Sequence, residues 1–288
     1  MQINKSYFGN IITQDIINNI YYIIDNYNQF SKEDLDFIRY YIIEHEDILR
    51  YKYPIVPYDL TEDKIMILSD THLGHKDDNM QYIFWAYEAA QDENIHKVLI
   101  AGDLFEGIIK STINDIKIDE IKKNYNSNYY LYLLSLARSF PNINNIETKI
   151  LLGNHDLSMI YEKLITHKDL INIYNQIPNS ELIGIGKAYI NWTSLDNKKN
   201  CRFILNHDTN IKFINHNYNK ELITISGHHH DYKEFDNEIY LPSLSNNRAK
   251  FPGLVTMELK NNNLIINPIQ ILPGSNIKIN NKQKTLYL

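Results

Sequence analysis

Cysteine is nearly missing from this chain: Cys201 is the single one in 288 residues. One thiol excludes an internal disulfide and any cysteine-based zinc site. Its place in the run Cys201-Arg202-Phe203-Ile204-Leu205 marks it as a buried small hydrophobe rather than a nucleophile. Positive charge is also in short supply. Lys and Arg number 29 against 35 Asp and Glu, a formal net charge of −6, which argues against a long phosphate-neutralising surface for duplex nucleic acid. A local basic patch, or metal ions that bring their own positive charge, stays compatible with that balance. No apolar run approaches membrane-spanning length. Met1-Gln2-Ile3-Asn4-Lys5 is not a basic region leading into an apolar stretch, so no secretory signal is expected. A soluble cytoplasmic protein with no membrane partner is the expectation, and no internal repeat is visible.

What is present is ordinary in amount and unusual in arrangement. Hydrophobic residues at 43% and charged residues at 22% supply a full core for one large domain, or one domain with an appendage. The 22 tyrosines could serve as stacking platforms for bases, but a codon bias that also enriches Asn, Ile and Lys accounts for them more simply. Residues 1–60 read as a helical extension, with packing on the rest of the chain as its expected role and a lid or oligomerisation element as alternatives. Ile11 to Tyr27 repeats isoleucine near the helical period, and Ser31 reads as the N-cap of a second helix running to about Leu49. Residues 61–288 form the expected catalytic domain. There, strands at Ile65–Leu68, Lys97–Ala101 and Lys149–Leu152 alternate with helices at Gln81–Asp92, Tyr129–Arg138 and Leu157–Ile165, an order that implies parallel strands with sites beyond their C-terminal ends. After residue 180 the chain turns β-rich, with strands expected at 188–191, 201–205, 222–225, 238–241, 253–259 and 264–272 and a hairpin turn at Asn261-Asn262-Asn263. Two sheets packed face to face with helices outside would use all of these. The tail from Gly274 is polar and is assigned no element.

The chemistry gathers at strand ends. Asp70-Thr71-His72 follows the first strand, Gly102-Asp103 the second, and Gly153-Asn154-His155-Asp156 the third; Asn206-His207-Asp208 and Gly227-His228-His229-His230 follow two later ones. Oxygen and imidazole donors with no thiol suit a hard-to-borderline divalent metal. Asp70 and His72 alternate on what reads as an extended segment, as do His228 and His230, so each pair is expected to project one way and His229 the other. Asp103 has lone pairs enough to bridge two ions, and Asn154 offers a neutral carbonyl oxygen. Each motif alone is weak; their order and placement together are strong.

The series resembles the calcineurin-like metallophosphoesterase superfamily: Asp-x-His (Asp70, His72), Gly-Asp (Asp103), Gly-Asn-His-Asp/Glu (Asn154, His155), a lone His (His207) and Gly-His-x-His (His228, His230), spanning residues 64–259. The resemblance implies an α/β fold, an αββα four-layer sandwich, around a binuclear centre holding Mn²⁺ first, with Fe or Zn²⁺ as alternatives. By that scheme one ion takes Asp70, His72, Asp103 and His230, and the other Asp103, Asn154, His207 and His228. The implied reaction is in-line attack on a phosphate ester by a metal-bridging hydroxide. His155, not spent on a metal, then protonates the leaving oxygen, and Glu106 is a candidate to orient it. Glu106-Gly107-Ile108 stands where phosphoprotein phosphatases have Asp-Arg-Gly, which disfavours a Ser/Thr protein phosphatase. A phosphodiesterase is the leading reading, with a nucleotide or single-stranded nucleic acid among the candidate substrates. A DNA-repair-type nuclease and a non-catalytic scaffold of the same fold are the alternatives. Arg248 and Lys250, and His75 and Lys76, are kept out of the site as solvated loop residues. The loops 110–128 and 210–221 are expected to set substrate choice.

Overall fold

The computed structural model describes residues 2–9, 13–45, 56–107, 116–207, 223–235, 237–245, 249, 252–260, 263–272, 276–279 and 284–287. Two helices come first, α1 (Gln14–Asp25) and α2 (Lys32–Glu44). Ser31 caps α2 as expected, its hydroxyl accepting from the Asp34 N–H at 3.2 Å. That helix closes at Glu44, and residues 46–49 of the expected longer helix lie outside the described residues. Then follow β1 (Tyr58–Thr61), β2 (Lys64–Leu68), α3 (Met80–Asp92), β3 (Lys97–Ala101), α4 (Ile118–Tyr125), α5 (Tyr129–Arg138), β4 (Glu147–Leu152), α6 (Asn154–Tyr161), α7 (His167–Tyr174) and β5 (Ser180–Ile185). The β-rich part supplies β6 (Lys187–Thr193), β7 (Asn200–Asn206), β8 (Ile223–Ser226), β9 (Lys233–Glu234), β10 (Glu238–Tyr240), β11 (Gly253–Lys260), β12 (Asn263–Leu272), β13 (Asn276–Ile279) and β14 (Lys284–Tyr287). The last two pair with β12, so the tail that read as featureless extends the sheet. Of the expected Asn261–Asn263 turn, residues 261 and 262 lie outside the described residues, but β11 and β12 pair antiparallel up to Lys260↔Asn263 on either side of it.

The strands form one hydrogen-bonded path, β13-β12-β11-β2-β3-β4-β5-β6-β7-β8-β10-β9, with β1 added to β6 and β14 to β12. β2, β3, β4 and β5 are parallel, as the alternating pattern implies. The path is thinnest between β5 and β6, joined by the single pair Ile185↔Lys187, and there it divides into two mixed sheets. Side-chain alternation shows how they stack. In β2, Met66 and Leu68 enter the core shared with the helices, while Ile65 and Ile67 enter a second core with Ile190, Trp192, Phe203 and Leu205 of the other sheet. β3 divides in the same way, Val98 and Ile100 toward the helices, Leu99 and Ala101 toward the facing sheet. A strand buried on both faces has to be apolar throughout, which is why these runs carry no polar alternation. The expected α/β sandwich of two mixed sheets flanked by helices is therefore the observed one.

The first core takes residues from α1 and α2 as well, including Ile20, Ile38 and Ile43, all fully buried. Lys149 and Glu181 reinforce that contact: Tyr58 Oη donates to Glu181 at 3.0 Å and Lys32 lies 3.4 Å from the same carboxylate. Cys201 is buried in the inter-sheet core, and burial pushes its thiol up to about 11. Among the described residues, no helix is long and apolar enough to cross a membrane.

Candidate metal centre

Parallel strands end at the same rim, so β2, β3 and β4 deliver Asp70, Asp103 and Asn154 side by side, and the parallel pair β7 and β8 delivers His207 and His228. The local backbone is not the extended one expected. Asp70, His72, Asp103, His228 and His230 all adopt left-handed conformations, with φ of 51°, 47°, 52°, 71° and 63°. Such residues persist only where the surroundings over-determine them, at about 1–3 kcal/mol each. Here the surroundings do so from a distance in sequence. The amides of Asp70 and His72 donate to the carbonyls of Gly102 and Asp103, both at 3.1 Å. The Thr71 hydroxyl donates to Leu104 O at 2.7 Å, and the Ser243 hydroxyl donates to Asp70 O at 2.7 Å. The side chains of each Asp-x-His or His-x-His pair thus converge through turns and not through strand alternation.

Two glycines make room for one imidazole. A Cβ on Gly102, at φ +85°, would fall 2.3 Å from the His207 ring, and one on Gly227 would fall 2.8 Å from His207 Nδ1 and 2.5 Å from Ala101 O. Held between them, His207 lies with Nδ1 2.7 Å from the Ala101 carbonyl, which leaves Nε2 facing Asp103.

All seven residues expected as ligands come together. Ligand atoms of Asp70, His72 and His230 lie within 4.8 Å of one another, and so do those of Asp103, His207 and His228. Asn154 Oδ1 sits 3.1 Å from His228 Nδ1, and His72 Nε2, 4.0 Å from Asp103 Oδ2, joins the two groups. His228 and His230 therefore serve different groups. His230 Nε2 lies 3.2 Å from Asp70 Oδ1, and the His228 amide donates to Asp70 Oδ2 at 2.9 Å.

The cluster is buried and incompletely satisfied. Asp70 Oδ1, His72 Nε2, Asp103 Oδ2 and His207 Nε2 are buried and make no hydrogen bond, although they approach one another to between 2.9 and 4.0 Å. Stranding polar atoms in this way is expensive unless a further partner is expected. An O and N donor set of this kind, converging and with four of its atoms buried without a hydrogen bond, fits divalent cations. Burial opposes ionisation, yet His207, with help from His230 and His72, holds Asp70 well below the ordinary carboxylate value. Asp103 is held down against its burial by His207, His155 and His72. Reciprocally, the carboxylates outweigh burial and push His72 up to about 9 and His207 up to about 10. Protons on the imidazoles and cations between them are alternative ways to balance the same carboxylates.

Behind this cluster sits a supporting layer. Glu106 Oε2 lies 2.9 Å from His72 Nδ1 and its Oε1 3.4 Å from His155 Nδ1, while the Glu106 carbonyl is 2.5 Å from the same His155 nitrogen. The carboxylate, held down to about 2 by His155 and His72 against its burial, thus steadies both rings. His155 is not in the stretch after β4 as a loop residue. The helix expected from Leu157 begins at Asn154, and the His155 amide donates to Asp103 Oδ1 at 2.8 Å from its first turn. Asp156, quoted in the motif but given no role by the sequence, accepts from the amides of Gly153 (2.8 Å) and Phe105 (3.0 Å) and from the Tyr174 hydroxyl (2.5 Å). Burial and the neighbouring Asp103 push it up to about 6. Ser69 and Ser243, whose hydroxyls donate to Asp70 Oδ2 and Asp70 O, carried no sequence signal beyond lying beside a motif or a turn. His75, set aside as a solvated loop residue, is in fact buried, with Nδ1 accepting from the Asp77 amide at 3.0 Å. Arg248, Lys250 and the loop residues 110–115 and 210–221 lie outside the described residues.

The profile of the calcineurin-like phosphoesterases matches residues 63–264, well over half the chain and inclusive of every cluster residue above. The chain belongs to that family. Curated protein sequences yield no match. Among solved structures, Vps29 complexed with zinc from Entamoeba histolytica is similar at 14% identity, covering 77% of this chain and 98% of that one, with a TM-score of 0.40. The nuclease MPE of Pseudomonas putida matches at 11% identity over 66% and 83% (TM-score 0.34). The calcineurin-like phosphoesterase YfkN of Bacillus subtilis matches at 10% over 77% and 89% (TM-score 0.33).

Proposed function

We propose that this calcineurin-like phosphoesterase is a binuclear-metal-dependent enzyme that hydrolyses phosphodiesters. The observation that carries the reading is the set of four buried atoms, Asp70 Oδ1, His72 Nε2, Asp103 Oδ2 and His207 Nε2, that face one another without hydrogen bonds. Asp70, His72, Asp103 and His230 would hold one ion; Asp103, Asn154, His207 and His228 would hold the second. Mn²⁺ is the first candidate, with Fe or Zn²⁺ as alternatives for the same donors. Bound there, two ions would neutralise phosphate charge and acidify a water.

The remaining work falls to the chain. As the water oxygen bonds to phosphorus and the ester P–O bond breaks, the leaving oxygen needs a proton, and His155 supplies it. Its Nδ1 is committed to the Glu106 carbonyl, so Nε2 is the nitrogen left for that transfer. Glu106 keeps the His72 and His155 rings oriented, a supporting role whose loss typically costs about 10–100-fold in metal affinity or activity. Residues 1–60 act as a packing extension on the catalytic domain 61–288, supported by the core that α1 and α2 share with the other helices.

Hydrolysis of bis-p-nitrophenyl phosphate beside p-nitrophenyl phosphate, with Mn²⁺ or with chelator, tests this. Chelator-sensitive cleavage, faster for the diester, is expected. Faster monoester cleavage would make the protein a phosphatase. Two bound metals with neither ester cleaved would point to a highly selective enzyme or a scaffold.

A further inference from the structure

One group of side chains beside the cluster has no part in that reaction. His229, between the inward-turned His228 and His230, is exposed and lies against Tyr240, ring centroids 4.1 Å apart and planes tilted by 39°. Tyr240 meets Phe235 edge-on at 5.4 Å, and Phe235 is 55% exposed. On the inner side, the His228 ring is 5.3 Å from His207 and 6.1 Å from His229. A continuous run of rings therefore leads from the buried His207 outward to Phe235.

The hairpin of β9 and β10 fixes its outer end. The Phe235 amide donates to Glu238 O at 2.9 Å, and Ile239 is buried in the inter-sheet core, which sends Tyr240 to the opposite face of the strand. An exposed phenylalanine on such a hairpin adds nothing to the core. A run of rings that ends in an exposed phenylalanine beside a site offers contact surface to something flat or apolar.

We infer that this ledge stacks a nucleobase of the substrate, so that the phosphodiester cleaved is a base-bearing one. The inference rests on the phosphoesterase reading, since it takes the phosphate to lie at Asn154 and His228 with its ester substituent directed along the rings. Charge selects the size of that substrate. The described residues in 231–240 carry Asp231, Glu234 and Glu238 against Lys233 alone, and Tyr240 Oη donates to Glu238 at 3.0 Å. Further phosphates would meet carboxylates. A small nucleotide diester fits this ledge and a long single strand does not.

The test compares thymidine 5′-(p-nitrophenyl phosphate) with methyl p-nitrophenyl phosphate, using the full chain with Mn²⁺. Phe235→Ala is expected to raise the ratio of the two KM values by at least about fivefold, the lower end of what one base–aromatic stack contributes, and Phe235→Trp to restore it. An unchanged ratio would overturn the ledge. Binding of oligothymidylate that tightens with each added nucleotide would overturn the restriction to a small diester. If wild type cleaves neither compound, the phosphoesterase reading fails separately, and the ledge is then judged by fluorescence of Phe235→Trp. Quenching by thymidine monophosphate and not by methyl phosphate supports the ledge, and equal quenching by both, or by neither, sinks it.

Discussion

Strand β4 carries a charged cluster near each end, and the two are built on opposite plans. Near its start, Lys149 lies 2.7 Å from Glu147 and 2.8 Å from Glu181, Lys97 lies 2.6 Å from Glu147, and Lys149 also stands over the Tyr58 ring. Each charged head there meets an opposite charge supplied by the chain, on backbone of ordinary conformation. Beyond its end, Asn154 opens onto Asp70, Asp103 and their imidazoles, with five left-handed residues and four buried atoms lacking hydrogen bonds. In the first cluster every charged head has its partner within the chain, and only Glu181 Oε1 is buried without a hydrogen bond. The second is arranged for positive charge from outside, at a cost in strain that the rest of the fold bears.

Removing a shared ligand should break the second cluster most severely. Asp103→Asn is expected to abolish diester cleavage and bound metal together, because Asp103 would serve both proposed ion sites; metal analysis after desalting checks it. Mn²⁺ should raise the melting temperature of wild type by mass action, about 2.7 kcal/mol of stabilisation at a hundred times Kd, and leave Asp103→Asn unmoved. Equal shifts in both proteins would mean that the ion binds elsewhere.

Effects one layer back are smaller and separate the roles. His155→Asn should keep its metal while kcat falls about 10²–10⁴-fold, the usual contribution of a general acid. Loss of metal in that variant would make His155 a ligand instead. Glu106→Gln should weaken metal binding or activity by about 10–100-fold through the His72 and His155 rings it steadies, with titration of Mn²⁺ as the readout.

Much of this contrast is legible in the sequence, and the unread parts share a physical cause. Runs such as Val98-Leu99-Ile100-Ala101 ending in Gly-Asp announce buried parallel strands with a carboxylate at the rim, so the residues that the fold gathers into the candidate cluster can be read from strand ends alone. The left-handed turns at Asp70 and His72 cannot, because they are imposed by Leu104 and Ser243, far away in the chain. α4 and α7 are two-turn helices inside long connections, too short for periodicity to mark, and β1 was masked by the prolines at 54 and 57 before it. The start of α6 leaves only half a capping signal, since Asp156 accepts from the Gly153 amide but glycine has no side chain to cap the first turn in return. Of the partners of Lys149 only Glu147, two residues earlier on the same face of β4, is legible in the sequence, since Glu181 and Tyr58 arrive from β5 and β1 only when the sheets assemble.

The Lys149 cluster gives the gentlest test. Lys149→Met should destabilise the fold by about 2 kcal/mol, below the ~3–5 kcal/mol of a fully buried pair because Glu147 is half exposed. The pH dependence has a definite sign. Lys149 and Lys97 outweigh burial and hold Glu147 at about 2, below its ordinary 4.5, and Lys149 holds Glu181 down as well. A carboxylate depressed in the folded state stabilises fully above its unfolded value and loses that contribution as pH falls through the folded one. Lys149 is itself raised above 10.5 by Tyr58, Glu147 and Glu181 against its burial, so the alkaline loss begins only beyond that value. The gap in unfolding free energy between wild type and Lys149→Met should therefore be widest from about pH 5 to 9 and close between pH 4.5 and 2, measured by urea titration. Diester cleavage per folded molecule should not change. If kcat fell with stability, the two ends of β4 would be coupled, and the division between a cluster that holds the fold and one that awaits its ions would not stand.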